Sequence, residues 1–198
     1  MNTLYKVFLA VVLLILSSTE LMAKSKKEDD KSLFNSKTFD AMSLRNIGPA
    51  YMSGRIADIA VDQNNPSTWY VAVGSGGVWK TVNAGTTWTP IFDKQKVFSV
   101  GDVTIAPSNS NVIWVGTGEN NGGRHISFGD GVYQSLDSGK TWKNKGLKDS
   151  ERISDIIIHP TDPNTVWVAV QGPLWTSGGE RGLFKTTDGG ENWKLALS

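Results

Sequence analysis

The sequence predicts an all-β chain of four-stranded antiparallel blades, the repeating unit of a β-propeller, with about three blades present. Three observations carry this. First, a pattern of the form S/T-x-D/N-x-G-x-T/N-W occurs at Thr81–Trp88, Ser135–Trp142 and Thr186–Trp193. Second, the stretches upstream of each such box repeat in the same register, so Asp58, Asp102 and Asp155 precede Tyr70, Trp114 and Trp167 by one common interval. Third, no segment beyond the apolar N-terminus sustains a helical period. Repeats of about 40–50 residues, each holding four short β-branched and aromatic runs between Asn, Pro, Gly and Ser, fit a blade.

Taken in order, residues 1–23 have the layout of a signal peptide. Lys6 precedes an unbroken apolar run from Val7 to Leu16, followed by Ser17, Ser18, Thr19 and a small residue at Ala23. That run is short of the roughly 20 residues a bilayer span needs. The protein is therefore expected to be secreted, periplasmic or at the cell surface, with no membrane contact beyond the signal. Residues 24–38 are a charged linker with nothing to bury. Residues 39–198 form the partial propeller, with blades at about 54–92, 100–147 and 153–197. Ser43–Gly48 resembles the strand that follows a box, and it is expected to pair with a last blade and hide a free edge.

The chain has no cysteine and eight tryptophans, so an exported fold must rest on packing rather than disulfides. A net charge of +1 leaves no electrostatic footprint for nucleic acid. Two histidines in separate settings and the absence of a calcium-loop spacing give no argument for a metal or any other cofactor.

Each box has a physical job. The carboxylate or amide of Asn83, Asp137 or Asp188 can accept hydrogen bonds from backbone N–H groups just ahead. Gly85, Gly139 and Gly190 allow backbone angles that other residues avoid. Trp88, Trp142 and Trp193 then start a strand and need an apolar slot. Residues that recur in every blade read as scaffold, as do Trp79, Trp114 and Trp167.

Function is sought where the blades differ. The loop between the second and third strands is short in blade one (Gly74–Gly77) and long in the other two (Gly118–Asp130 and Gln171–Arg181). Binding residues concentrate on such variable loops. Arg55, Glu119, Arg124, His125, Trp175, Glu180 and Arg181 are the candidate ligand-binding residues, at the end opposite the boxes. Covering the propeller surface or meeting another domain is the alternative role for them.

Together the segments Asn46–Pro49, Ser53–Ile56, Tyr70–Trp79, Gly116–Asn120, Gly129–Tyr133 and Glu180–Phe184 resemble a known group. The boxes are similar to the Asp-box repeats of bacterial neuraminidases, and the chain from about Phe39 onward resembles propellers shared by sortilin-type receptors and xyloglucan-cleaving glycoside hydrolases. The resemblance implies blades from a seven-bladed propeller. Three blades do not close a ring, so the expectation is an N-terminal piece of a longer protein, whose remaining blades are partners; assembly of several short chains is the alternative.

The xyloglucanase resemblance also implies two catalytic aspartates, acting as acid and base in an inverting reaction. The first would lie in a segment of the form Y-A-R-T-D-I-G-G. Here the matching run is Tyr70–Gly77, and Gly74 holds the place of that aspartate, where no proton can be transferred. The second would lie in a later propeller. No catalytic residue is therefore assigned. The reading is a binding or scaffold module for a peptide or polysaccharide. The alternative is a hydrolase of β-glucan or xyloglucan in a longer form, with Glu119, Asp130 or Glu180 as its acids. A relic without activity stays open too.

Overall fold

The computed structural model describes residues 55–123 and 126–198. The expected signal peptide, the linker, the Ser43–Gly48 strand, Arg124 and His125 lie outside the described residues.

Twelve strands form three four-stranded antiparallel sheets in simple meander order. The first holds β1 (Ile56–Val61), β2 (Trp69–Val73), β3 (Gly77–Thr81) and β4 (Thr89–Pro90). The second holds β5 (Val100–Ala106), β6 (Asn109–Thr117), β7 (Val132–Ser135) and β8 (Lys143–Asn144). The third holds β9 (Ile153–Ile158), β10 (Val166–Val170), β11 (Gly182–Thr186) and β12 (Lys194–Leu197). There is no helix among the described residues. The register repeats as the sequence does: Val71 faces Trp79, Val115 faces Tyr133, and Val168 faces Phe184 across the second and third strands.

Two of the apolar cores lie between blades, while a smaller one, Val71, Val73 and Trp79 with Trp88 against it, belongs to the first blade alone. Tyr70, Ala72, Val78 and Phe92 of the first blade pack on Val100, Val103, Val115 and Tyr133 of the second. Trp114, Val112, Val132 and Leu147 of the second pack on Ile153, Ile156, Ile158 and Val168 of the third. A strand buried on both faces has no polar alternation, which is why β2 and the Val112–Val115 part of β6 read as continuous apolar runs. The innermost strands stand side by side, and a backbone-to-backbone approach is needed there. A Cβ at Gly101 would collide with the carbonyls of Ile153 and Gly118.

The boxes are built alike. In the second, Asp137 Oδ1 accepts from Thr141 N–H at 2.8 Å, Asp137 Oδ2 from the Thr141 hydroxyl at 2.6 Å, and the Ser135 hydroxyl donates to Asp137 at 2.7 Å. Ser135 Oγ in turn accepts from Gly139 N–H at 2.8 Å. Thr81 and Asn83 make the equivalent bonds in the first box, and Thr186 and Asp188 in the third. Gly85, Gly139 and Gly190 have φ of 87°, 88° and 81°, the left-handed region that disfavours a side chain.

The box tryptophans reach further than a hairpin anchor would. Trp142 Nε1 donates to Ile91 O in the first blade at 2.8 Å, and Trp193 Nε1 to Lys145 O in the second at 2.7 Å. The second and third boxes thus fasten their blades to the one before.

Bonds to Thr141 hold the Asp137 carboxyl down at about 2. A native pKa below the ordinary carboxylate value of about 3.9 stabilises the fold above that value and loses the contribution as pH falls. Thermal melts from pH 5 to pH 2 should therefore show stability dropping between about pH 4 and pH 2, and Asp137→Asn should flatten that drop.

Candidate functional site

The loops between second and third strands emerge at the end away from the boxes, and at this end a set of links ties the blades together. Gly74 N–H donates to Arg55 O at 2.8 Å, Gly118 N–H to Ser99 O at 2.8 Å, and Gln171 N–H to Arg152 O at 3.0 Å. Arg55, Ser99 and Arg152 are thus the same position of the repeat, three residues before the common aspartate.

Ser99 is the hub between the first two blades. Its buried Oγ lies 3.0 Å from Gly74 O and 2.9 Å from Ser127 O, and accepts from Glu119 N–H at 3.1 Å. Arg55 reaches across to Glu119, with Nε on Oε1 and Nη2 on Oε2. Glu119 is buried and Arg55 is not, so the pair presents a guanidinium above a sunken carboxylate. Asn121 Nδ2 also donates to Glu119 Oε1, at 3.2 Å. A Cβ at Gly74 would sit 2.8 Å from the Glu119 carboxyl carbon. Space that a side chain at residue 74 would need is filled by the carboxylate of the neighbouring blade.

Phe98 and Phe128 flank the Ser99–Ser127 link, and each is 55% exposed. Neither was legible as a site residue, because neither occupies a repeated position. Trp175, in the third blade's loop, is 63% exposed. The exposed apolar surface of this face is mainly aromatic, with Leu174 beside Trp175.

The remaining sequence candidates are largely engaged in holding the loops. Arg181 donates to the carbonyls of Pro173, Gln171 at 2.6 Å and Thr176 at 3.3 Å, closing the Gln171–Arg181 loop on itself. Glu180 Oε2 accepts from Asp149 N–H at 2.9 Å, and burial raises its carboxyl. Asp130 Oδ2 accepts from the Tyr133 hydroxyl at 2.8 Å, while Asp130 Oδ1 is buried without a partner. Arg152, not singled out by sequence, is buried and donates from Nη2 to Gly172 O at 2.8 Å. Its place in register with Arg55 was the available signal.

Asp58, Asp102 and Asp155 line a groove of about 330 Å³ running between the inner strands. Asp58 Oδ2 accepts from Val103 N–H of the next blade at 3.2 Å, and Asp102 accepts from Ile156 N–H in the same manner. Among the described residues, no cluster of three or more His, Cys, Asp or Glu has metal-holding geometry. Burial, reinforced by the charges of Asp58 and Asp155, pushes the Asp102 carboxyl up to about 8. A raised native carboxyl binds its proton more tightly than the unfolded chain does, so stability falls as pH rises from about 4 to about 8. Asp102→Asn keeps an acceptor for Ile156 and offers a donor to Asp58. Its melting temperature should stay level over that range and exceed that of the wild type by pH 8. The gap should be about 4–8 °C for an effect of about 2 kcal/mol.

The fold places the chain among known propellers. Three solved structures illustrate this. The GH74 enzyme of Niastella koreensis superposes with a TM-score of 0.53 at 20% identity, covering 71% of this chain and 22% of the enzyme. An ancestral GH74 enzyme gives 0.54 at 20% identity, covering 73% and 18%. The GH74 xyloglucanase of Xanthomonas campestris gives 0.51 at 17% identity, covering 71% and 23%. The blades are β-propeller blades. The matched part of the chain spans about a fifth of the length of these enzymes. No protein-family model and no curated protein matches the sequence.

Proposed function

We propose that the loop face is a glycan-binding surface of an exported propeller protein and that this part of the molecule binds without cleaving. The observation that carries the reading is the exposed aromatic set, Phe98, Phe128 and Trp175, on the face that holds the Arg55–Glu119 pair. Sugar rings offer apolar C–H faces to aromatic rings and hydroxyls to a guanidinium or a carboxylate, and this face offers both. Likeness to the GH74 propellers supports a polysaccharide as the first ligand to try. The signal-like N-terminus supports export, the boxes support membership of the Asp-box propellers, and a longer parent protein would supply the further blades.

Hydrolysis through Glu119 is disfavoured on geometry. Glu119 has both oxygens on Arg55, Glu180 has Oε2 on the Asp149 N–H, and the Asp130 oxygen that is not on Tyr133 is buried. A general acid or base needs a free, accessible oxygen within hydrogen-bond reach of the reacting group, which the Arg55-bound Glu119 does not offer. Gly74 supplies none.

Retention of the full chain on immobilised xyloglucan and on mixed-linkage β-glucan tests the reading. Removing one stacking ring of about 1 kcal/mol should weaken retention about fivefold. Trp175→Ala, Phe98→Ala and Phe128→Ala should each show it. Retention unchanged in all three, or retention on an immobilised peptide library with none on either glucan, would overturn the glycan reading.

A further inference from the structure

We propose that the Asn121–Gly122 bond is a modification site, at which Asn121 turns into aspartate or isoaspartate with water as the co-reactant and no enzyme. The new charge then loosens the loop from Glu119. Resting on the glycan reading above, the conversion also weakens the hold of the loop face on its ligand. Asn121–Gly122 is the one Asn–Gly pair in the sequence, and it lies in the blade-two loop directly after Glu119.

The step balances between chain and solvent. Once hydroxide has taken its proton, Gly122 N attacks Asn121 Cγ and a succinimide ring closes. The Cγ–Nδ2 bond breaks, and that nitrogen leaves as ammonia with a proton from water. Water then adds to either carbonyl carbon of the ring. One opening gives aspartate, the other isoaspartate, whose main chain runs through the former side chain. Nothing is oxidised or reduced.

The structure favours attack at this bond. Gly122 is exposed, with nothing within 4 Å of its Cβ position, so its nitrogen is unhindered. No acceptor among the described residues takes the Gly122 N–H. Gly123 N–H donates to Asn121 Oδ1 at 2.7 Å, the atom on which the oxyanion of the tetrahedral adduct forms. The two Asp–Gly pairs of the blades lack this combination. Gly189 N–H already donates to Asn164 O at 3.0 Å, and the Asp188 carboxylate accepts from Thr186, Glu191 and Asn192. Asp130, before Gly131, has one oxygen on Tyr133 and the other buried.

Conversion reverses one contact of the site. Asn121 Nδ2 donates to Glu119 Oε1 at 3.2 Å; afterwards that donor is gone and a second carboxylate stands beside the buried one. Like charges so close repel. Glu119 is held by Arg55 through both oxygens, so residues 120–123 are the part that moves away. Glu119 N–H, on Ser99 Oγ at 3.1 Å, then loses its cover.

Ageing the full chain at neutral and at mildly alkaline pH, followed by peptide mass spectrometry, tests the chemistry. Asn121 should gain the mass of an amide turned acid well before Asn120 in the same peptide, and faster at the higher pH. Gly122→Ala should slow this several-fold. Hydrogen exchange at Glu119–Gly123 should quicken in the aged chain and in Asn121→Asp. Retention on xyloglucan should fall with the fraction converted, while aged Gly122→Ala keeps its retention. Near-UV circular dichroism checks that both altered chains fold. Asn121 that converts no faster than Asn120, or equally fast in Gly122→Ala, overturns the proposal. So does conversion that leaves exchange and retention unchanged. A fresh chain that is not retained at all counts against the glycan reading alone, and mass and exchange still decide the modification.

Discussion

Trp114→Ala is expected to destabilise the fold by about 3–5 kcal/mol, the range for removing a buried tryptophan. Trp114 is among the fully buried side chains, and it lies in the core shared by the second and third blades. Its ring supports Trp193 and the tip of the third box, so truncation leaves a cavity at the interface and frees the indole that donates to Lys145. Domains are stable by only about 5–15 kcal/mol, so much of the margin would go. Urea denaturation should show a midpoint shift with the slope unchanged if the three blades unfold together. A shift of the same size for Trp175→Ala, whose ring is exposed, would mean that burial is not what decides the effect.

Gly118→Ala should cost about 3 kcal/mol and loosen the loop face as well. Gly118 has a φ of 80°, and its missing Cβ points directly at the Glu151 carbonyl. That carbonyl accepts from Gly129 N–H at 2.7 Å, while Gly118 N–H donates to Ser99 O. A methyl group therefore brings backbone strain of about 1–2 kcal/mol together with overpacking of about 1–3 kcal/mol. Because Glu119 follows directly, the Arg55–Glu119 pair should be displaced and glucan retention should fall with stability. Gly122→Ala is the control, since nothing lies within 4 Å of its Cβ position. Equal losses at Gly118 and Gly122 would remove close packing as the cause.

Much of the architecture was legible because a repeat reports on itself. The interval from Asp58 to Tyr70, recurring at Asp102 and Asp155, fixed which runs are equivalent, and the boxes marked the turns between third and fourth strands. What the repeat hides is contact between units. A periodic tryptophan reads as an anchor within its own hairpin, whereas Trp142 and Trp193 fasten to the blade before. Only coordinates reveal that, because the bond links residues about 50 positions apart.

The candidate site was legible in part for the same reason. Variable loops pointed to Glu119 and Trp175, and Arg55 was named from its place at the blade connection. The pairing of Arg55 with Glu119 was not readable, nor was the filling of the Gly74 space by a neighbour's carboxylate. Arg181 illustrates the limit from the other side: a loop arginine has the composition of a binding residue, yet its donors are spent on three backbone carbonyls. Phe98 and Phe128 carry no pattern at all, and only their exposure beside the Ser99 hub brings them forward.

Hydrogen–deuterium exchange of the full chain, with and without a xyloglucan oligosaccharide, tests the central claim most directly. Binding at the loop face predicts slowed exchange around Phe98–Ser99, Glu119–Gly123 and Leu174–Arg181. No change is expected in the box turns at Asn83–Trp88, Asp137–Trp142 and Asp188–Trp193, and the oligosaccharide should be recovered intact. Protection confined to the box turns, or cleavage of the oligosaccharide that Glu119→Gln abolishes, would contradict the account.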